Sequence, residues 1–167
     1  KKLYQEYEKR VLVIWYWGYL PFLIDEAVAT ELNDSLVKLG VKPKQMAEAT
    51  DLLITCLPNP TASAVVMEAE DGILAGLSSG KIWAEMSTTD EVEVKRLGKR
   101  VQELGGEALD CPVSGGCHRA ETGNISIFAG GERSSFEKIL PVLKVLGRNI
   151  LHTGALGSAS VLKVLTN

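Results

Sequence analysis

The sequence is poor in several things at once, and each shortage excludes something. It has three cysteines in 167 residues, Cys56, Cys111 and Cys117. That odd, small number cannot make a disulfide framework and points to a reducing intracellular compartment, cytoplasm or mitochondrial matrix. Histidine is limited to His118 and His152. With the cysteines these form no zinc-site spacing, so no metal is expected. Basic charge is not in excess, at 18 Lys and Arg against 21 Asp and Glu for a net charge of −3. Without clustered Lys and Arg, neither a nucleic acid nor an anionic membrane is an expected partner. The longest apolar stretches, Val11–Tyr16 and Leu52–Leu57, are strand-sized, far short of the ~20 residues that cross a bilayer. What remains is an ordinary balance, 46% hydrophobic and 23% charged, enough for one domain with a real core.

From residue 51 onward, apolar runs alternate with amphipathic segments. Leu52–Leu57 is a continuous apolar run stopped by Pro58-Asn-Pro60, as in a parallel strand covered on both faces. Thr61 is then expected to cap a helix with Val65, Val66, Ala69 and Ile73 on its apolar face. Lys81–Glu85 reads as a strand and Asp90–Leu104 as an amphipathic helix, with Val92, Val94, Leu97, Val101 and Leu104 apolar and Gly105-Gly106 as its stop. Strands are also expected over Glu107–Cys111, Asn124–Ala129 and Asn149–His152. Between the last two, Ser134 opens a helix to Leu146 that Pro141 should kink or interrupt. Before residue 51, Arg10–Tyr16 reads as a strand, Asp25–Leu39 as a helix and Lys44–Ala49 as a further helical turn or two. This rhythm is that of an α/β fold, a doubly wound, mostly parallel, Rossmann-like sheet. At the end of the chain Ser158 caps a new apolar helix, Val161–Leu165.

Two segments carry the chemistry. In Asp110-Cys-Pro-Val-Ser-Gly-Gly116 a strand end is followed by a hydroxyl and two glycines. That places N–H groups able to hold a carboxylate at the carboxyl edge of a parallel sheet, where ligands of open α/β folds bind. Read alone, the segment is more simply a plain strand-to-loop turn. In the second segment, Gly157–Asn167, Lys163 and Asn167 are four apart on one helix and face the same way. Lys163 lies among apolar neighbours, and partial loss of hydration suits an amine that moves protons near neutral pH. Read alone, it is more simply a lysine whose stem covers apolar surface.

Together these segments resemble the β-hydroxyacid dehydrogenase family, which includes 3-hydroxyisobutyrate dehydrogenase, tartronate semialdehyde reductase and, more remotely, 6-phosphogluconate dehydrogenase. The resemblance covers roughly residues 36–167. It rests on Cys56-Leu-Pro58, Met86-Ser-Thr88, Asp110–Gly116 continuing through Ala120 and Gly123 to Gly130-Gly131, and the run from Gly157 through Lys163 to Asn167. It implies a nicotinamide cofactor, NAD or NADP, and a small hydroxyacid substrate. Lys163 then matches the catalytic lysine, and Ser114, Gly115, Gly116 and Asn167 the substrate-binding residues. Leu57, Pro58 and Thr88 match positions beside the cofactor. It further implies a Rossmann-like domain over 1–157, with 158–167 starting an interdomain helix toward a C-terminal helical domain that lies outside this chain and makes an oligomer.

The sequence departs from the family where G-x-G-x-x-G should follow the first strand. Trp15-Tyr-Trp-Gly18-Tyr-Leu-Pro-Phe22 has one glycine among bulky rings, where backbone must approach a pyrophosphate. Either Val11–Tyr16 is the first strand without its glycines, or it is the second strand and the first βα unit is absent. The aromatic patch is core or, alternatively, a partner surface. A rival reading is a degenerate Rossmann-like module serving as a structural or interaction subunit without catalysis.

Overall fold

The computed structural model describes residues 11–15 and 42–166. The helix expected over Asp25–Leu39, the aromatic patch from Tyr16 to Phe22, and Asn167 lie outside the described residues. The described chain runs β1 (Val11–Trp15), α1 (Pro43–Ala49), β2 (Leu52–Cys56), α2 (Pro60–Glu68), α3 (Ile73–Gly76), β3 (Ile82–Glu85) and α4 (Glu91–Glu103). It continues with β4 (Glu107–Asp110), β5 (Val113–Ser114), α5 (Gly116–Glu121), β6 (Ser126–Gly130), α6 (Arg133–Leu146), β7 (Asn149–Gly154) and α7 (Ser158–Leu165).

Strands β1 to β4 are parallel and adjacent in that order. Strand β6 runs against them, pairing Asp110 with Gly130 on β4 and then Val113 and Ser114 of β5 with Ile127 and Ser126 in one continuous register. Strand β7 lies parallel to β6 on its other side. Val11–Trp15, the strand whose place in the order the sequence left open, pairs in parallel with Leu52–Cys56.

Alternation of side chains across the pleat divides the interior in two. Leu53, Trp83 and Ala108 point to the face covered by α1 to α4, with Ala47, Met67, Ile73, Leu77, Val94, Leu97 and Val101. Leu52, Ile54, Ile82, Ala84 and Leu109 point to the other face, against Phe136, Ile139, Val142, Leu143 and Leu146 of α6. Lys81, at the foot of β3, is also buried. Its Nζ donates to the carbonyls of Ala47, Glu48 and Thr50 at 2.6, 3.1 and 2.5 Å. It thus places a cation on the orphaned carbonyl end of α1.

Several local expectations are corrected. Helix α2 is capped by Asn59, which accepts from the Ala62 N–H at 2.8 Å, and not by Thr61. Pro60 takes the first helical position, where a missing N–H costs nothing, and moves the cap back by two. The helix turns Ser63 and Met67 inward and leaves Val65 61% exposed, because Ser63 has a buried carboxylate to bond. Ile73 starts the separate helix α3. Asp90, expected as the first residue of α4, is its cap, and Val92 and Leu104, expected on its apolar face, are exposed. Helix α6 starts at Arg133 behind Glu132 without a side-chain cap, in place of the expected Ser134. It also runs through Pro141. Pro141 is exposed, so the Glu137 carbonyl it leaves unpaired faces water. Ser158 is not the cap of α7 either: Gly157 holds that position, and the Ser158 hydroxyl bonds Thr153 Oγ1 at 2.7 Å.

Candidate functional site

The carboxyl ends of β2, β3 and β4 carry a row of polar side chains, Thr55, Glu85 and Asp110, in direct register and all buried. Each is satisfied by a different neighbour, and this row organises the rim.

Glu85 is the centre of the first network. Its Oε2 accepts from Thr55 Oγ1 and Ser63 Oγ, each at 3.1 Å. Its Oε1 accepts from the Ser87 N–H at 2.8 Å and from the Ser87 hydroxyl. Ser87 Oγ in turn accepts from the Leu57 N–H at 2.7 Å, and Thr55 Oγ1 accepts from Trp83 Nε1 at 2.8 Å. One carboxylate therefore ties the loop after β2, containing Leu57 and Pro58, to the loop after β3, containing Thr88. Leu57 is buried at this junction, whereas Pro58 and Thr88 are exposed on the rim.

Burial raises the Glu85 carboxyl above its ordinary value of 4.5, against the lowering effect of its hydroxyl and amide donors. A folded-state pKa above the unfolded one means stability present in full below about pH 4.5 and lost as pH rises through the folded value. Glu85→Gln keeps Oε1 for both Ser87 donors, and the Thr55 and Ser63 hydroxyls can turn to accept from the amide. The variant is therefore expected to match the wild type at pH 4. At pH 8 it should melt higher, by about 2–4 °C per kcal/mol saved. Thermal melts across that range check this, and a variant that loses ground as pH rises refutes it.

Two thiols, Cys56 and Cys111, flank this region. Burial, with Glu85 nearby, pushes the Cys56 thiol up to about 12. Burial pushes Cys111 up as well, with Asp110 and Glu85 adding to the effect. Both are protonated at neutral pH, which suits small apolar packing groups and not nucleophiles. Among the described residues no group of three or more His, Cys, Asp or Glu side chains is placed to hold a metal ion. Nor is any helix among them long and apolar enough to cross a membrane.

Asp110 is the centre of the second network. Its Oδ1 accepts from the Gly157 N–H at 2.8 Å, and its Oδ2 from the N–H and hydroxyl of Ser160 at 2.7 and 2.9 Å. The Asp110 side chain thus caps α7 from 47 residues away, a stronger cap than the local serine because its two oxygens meet two orphaned N–H groups. From that anchor α7 packs back over β6, β7 and β4. Lys163, three residues beyond Ser160 on the same helical face, is buried.

Beyond Asp110 the chain passes Pro112 to half-buried Ser114, paired with Ser126. It then reaches Gly115 and Gly116 at φ +132° and +68°, conformations closed to most side chains. Both glycines are exposed and open α5, a short helix missed in the sequence because its seed, Gly116–Glu121, reads as loop. The hydrogen bond from Leu57 to Ser87 therefore joins the loop carrying Leu57 and Pro58 to the loop carrying Thr88. Asp110 ties the strand leading to Ser114 to the helix carrying Lys163. Glu85 and Ser87, which organise the first group, escaped sequence reading: a strand-end Glu is read as a solvated terminus unless Ser63 is known to face it.

Comparison with known proteins follows this geometry. A family model described as the NAD binding domain of 6-phosphogluconate dehydrogenase matches residues 17–154. Over 135 residues the chain is 36% identical to 2-hydroxy-3-oxopropionate reductase of Escherichia coli (strain K12), covering 78% of this chain and 46% of that protein. Over 152 residues it is 33% identical to mitochondrial 3-hydroxyisobutyrate dehydrogenase of Rattus norvegicus, covering 90% and 45%. The chain thus spans about half the length of the curated relatives it matches. In fold it is similar to a Mycobacterium tuberculosis 3-hydroxyisobutyrate dehydrogenase solved with L-serine, with TM-score 0.78, 21% identity, and coverage of 94% of this chain and 58% of that one. It is similar in fold also to an imine reductase from Myxococcus stipitatus in complex with NADP+, with TM-score 0.77, 17% identity, and coverage of 93% and 59%.

Proposed function

The chain belongs to the family of the NAD binding domain of 6-phosphogluconate dehydrogenase, and from that premise we propose that it is the cofactor-binding part of an NAD(P)-dependent oxidoreductase. Its substrate is a small β-hydroxyacid, or the matching semialdehyde in the reverse direction. The whole protein's reaction joins this domain to a helical domain entered through residues 158–167, which also makes the oligomer.

The residues on the rim suit a nicotinamide cofactor. Pro58 and Thr88 offer an exposed apolar ring and an exposed hydroxyl at the carboxyl edge of parallel strands, where such ligands lie. The buried junction beneath them, Leu57 N–H to Ser87 to Glu85, holds both loops at fixed separation. When bound, the nicotinamide supplies the hydride acceptor or donor.

The chain's own residues then bind substrate and handle its proton. The N–H groups of Gly115 and Gly116, with the Ser114 hydroxyl, hold the substrate carboxylate. Lys163 Nζ takes the proton of the substrate hydroxyl during oxidation and returns it to the carbonyl oxygen during reduction. Asn167 helps orient the substrate. Burial of Lys163 on the α7 face that packs on the sheet is the observation that carries this reading. An amine excluded from bulk water, on a helix anchored to the strand of the carboxylate cradle, is suited to a single defined proton transfer.

Fluorescence titration with NADH and with NADPH tests the reading. Binding of either at micromolar concentration is expected. Absence of binding at millimolar concentrations of both would leave the non-catalytic subunit as the function.

A further inference from the structure

Two parts of the proposed site come from distant stretches of chain. The carboxylate cradle follows β4, and the proton-transferring amine is on α7. A single buried side chain joins them. Asp110 is fully buried and spends both oxygens on α7, through Gly157 and Ser160. It stands four residues before Ser114 and three residues' worth of helix from Lys163. The next residue along its strand's register, Gly130 of β6, could not be larger. A Cβ there would collide with Asp110 Oδ1 and stand 2.8 Å from the Ala155 carbonyl and 2.9 Å from Ser158 Oγ. The strand and the turn into α7 are therefore drawn together around the carboxylate as closely as backbone permits.

We propose that Asp110 is a positioning residue for proton transfer: by holding the first turn of α7 against the end of β4, it fixes the distance between Lys163 Nζ and a substrate seated on Ser114–Gly116. This rests on the reading of Lys163 given above. A helix gains about 1.5 Å per residue and a strand about 3.3 Å. With its end anchored at Asp110, α7 therefore has no independent freedom to slide relative to the cradle. Displacements near 1 Å at a reacting centre can cost about a hundredfold in rate. Cofactor binding depends on the loops after β2 and β3, which are held by Glu85, so it is expected to be indifferent to Asp110.

The test uses Asp110→Asn and Ser160→Ala in the full-length protein, each alone and combined with Lys163→Ala. In Asp110→Asn one amide N–H must face an N–H of α7, donor against donor. Ser160→Ala removes only the hydroxyl bond and leaves a folded control. The expected result is a fall in kcat of about 10–100-fold for Asp110→Asn and a few-fold for Ser160→Ala, with cofactor KM within twofold of wild type. Neither substitution should lower kcat further once Lys163 is alanine. Equal losses in both backgrounds, or a loss confined to cofactor KM, overturn the proposal and leave Asp110 a purely structural cap. Full turnover of Asp110→Asn beside an inactive Lys163→Ala overturns it alone, whereas full turnover of Lys163→Ala overturns it together with the functional reading.

Discussion

Lys163→Ala, in the full-length protein, is expected to lower kcat by about 10²–10⁴-fold, the usual worth of a placed general acid–base, while cofactor affinity stays within twofold. The two effects separate because Lys163 is on α7, and Leu57, Pro58 and Thr88, proposed to lie beside the cofactor, are on loops held by the Glu85 junction. Loss of the amine removes the group that accepts the hydroxyl proton, leaving only water, which the buried position of Lys163 holds at a distance. Steady-state kinetics with a β-hydroxyacid, together with NADH titration of the same variant, measures both terms. A variant that turns over normally removes Lys163 from the mechanism. One that fails to bind cofactor assigns the lysine to the wrong ligand.

The largest loss of stability is expected at Trp83. It is fully buried at the centre of the face covered by α1 to α4, and its indole N–H donates to Thr55 Oγ1. Trp83→Ala opens a cavity bounded by four helices and is expected to cost about 3–5 kcal/mol. For a chain of this size that is about 6–20 °C in Tm. Trp83→Phe keeps most of the ring contacts, and Thr55 keeps donating to Glu85 without the indole. It is expected to cost less than half as much. Calorimetric unfolding of both variants decides it, and a Trp83→Ala protein within 1 kcal/mol of wild type would show that the face can collapse around the gap.

How far the fold could be read differs from element to element for a physical reason. Leu52–Cys56 and Ile82–Glu85 are short, mostly apolar runs bounded nearby by Pro or Gly, so their strand character is local. The amphipathic helix Glu91–Glu103, with Asp90 at its head, is local in the same sense. Helix faces were not. Val65 and Val92 look like core residues by spacing yet face solvent; for Val65 the reason is that the rotation of α2 is set by Ser63 reaching Glu85 on a strand. Helix starts at Ser134 and Ser158 failed similarly. A serine is a competent cap only until something better arrives, and for α7 that was a carboxylate from β4.

The site divides along the same line. The order Cys56-Leu-Pro58, Met86-Ser-Thr88, Asp110–Gly116 and Gly157–Asn167 was enough to suggest both the chemistry and the family, because glycines, hydroxyls and a lysine at those spacings carry their meaning in the chain itself. Glu85 and Ser87 carry none until Leu57 and Ser63 are beside them.

The sequence alone therefore determined the longer strands and helices and the residue types available for binding a carboxylate and moving a proton. These follow from short-range patterning that tertiary contacts do not rewrite. Only the tertiary structure decided which carboxylates are buried, which helix faces are turned inward and what anchors α7, because each depends on a hydrogen-bond partner 22 to 50 residues away that no local pattern encodes.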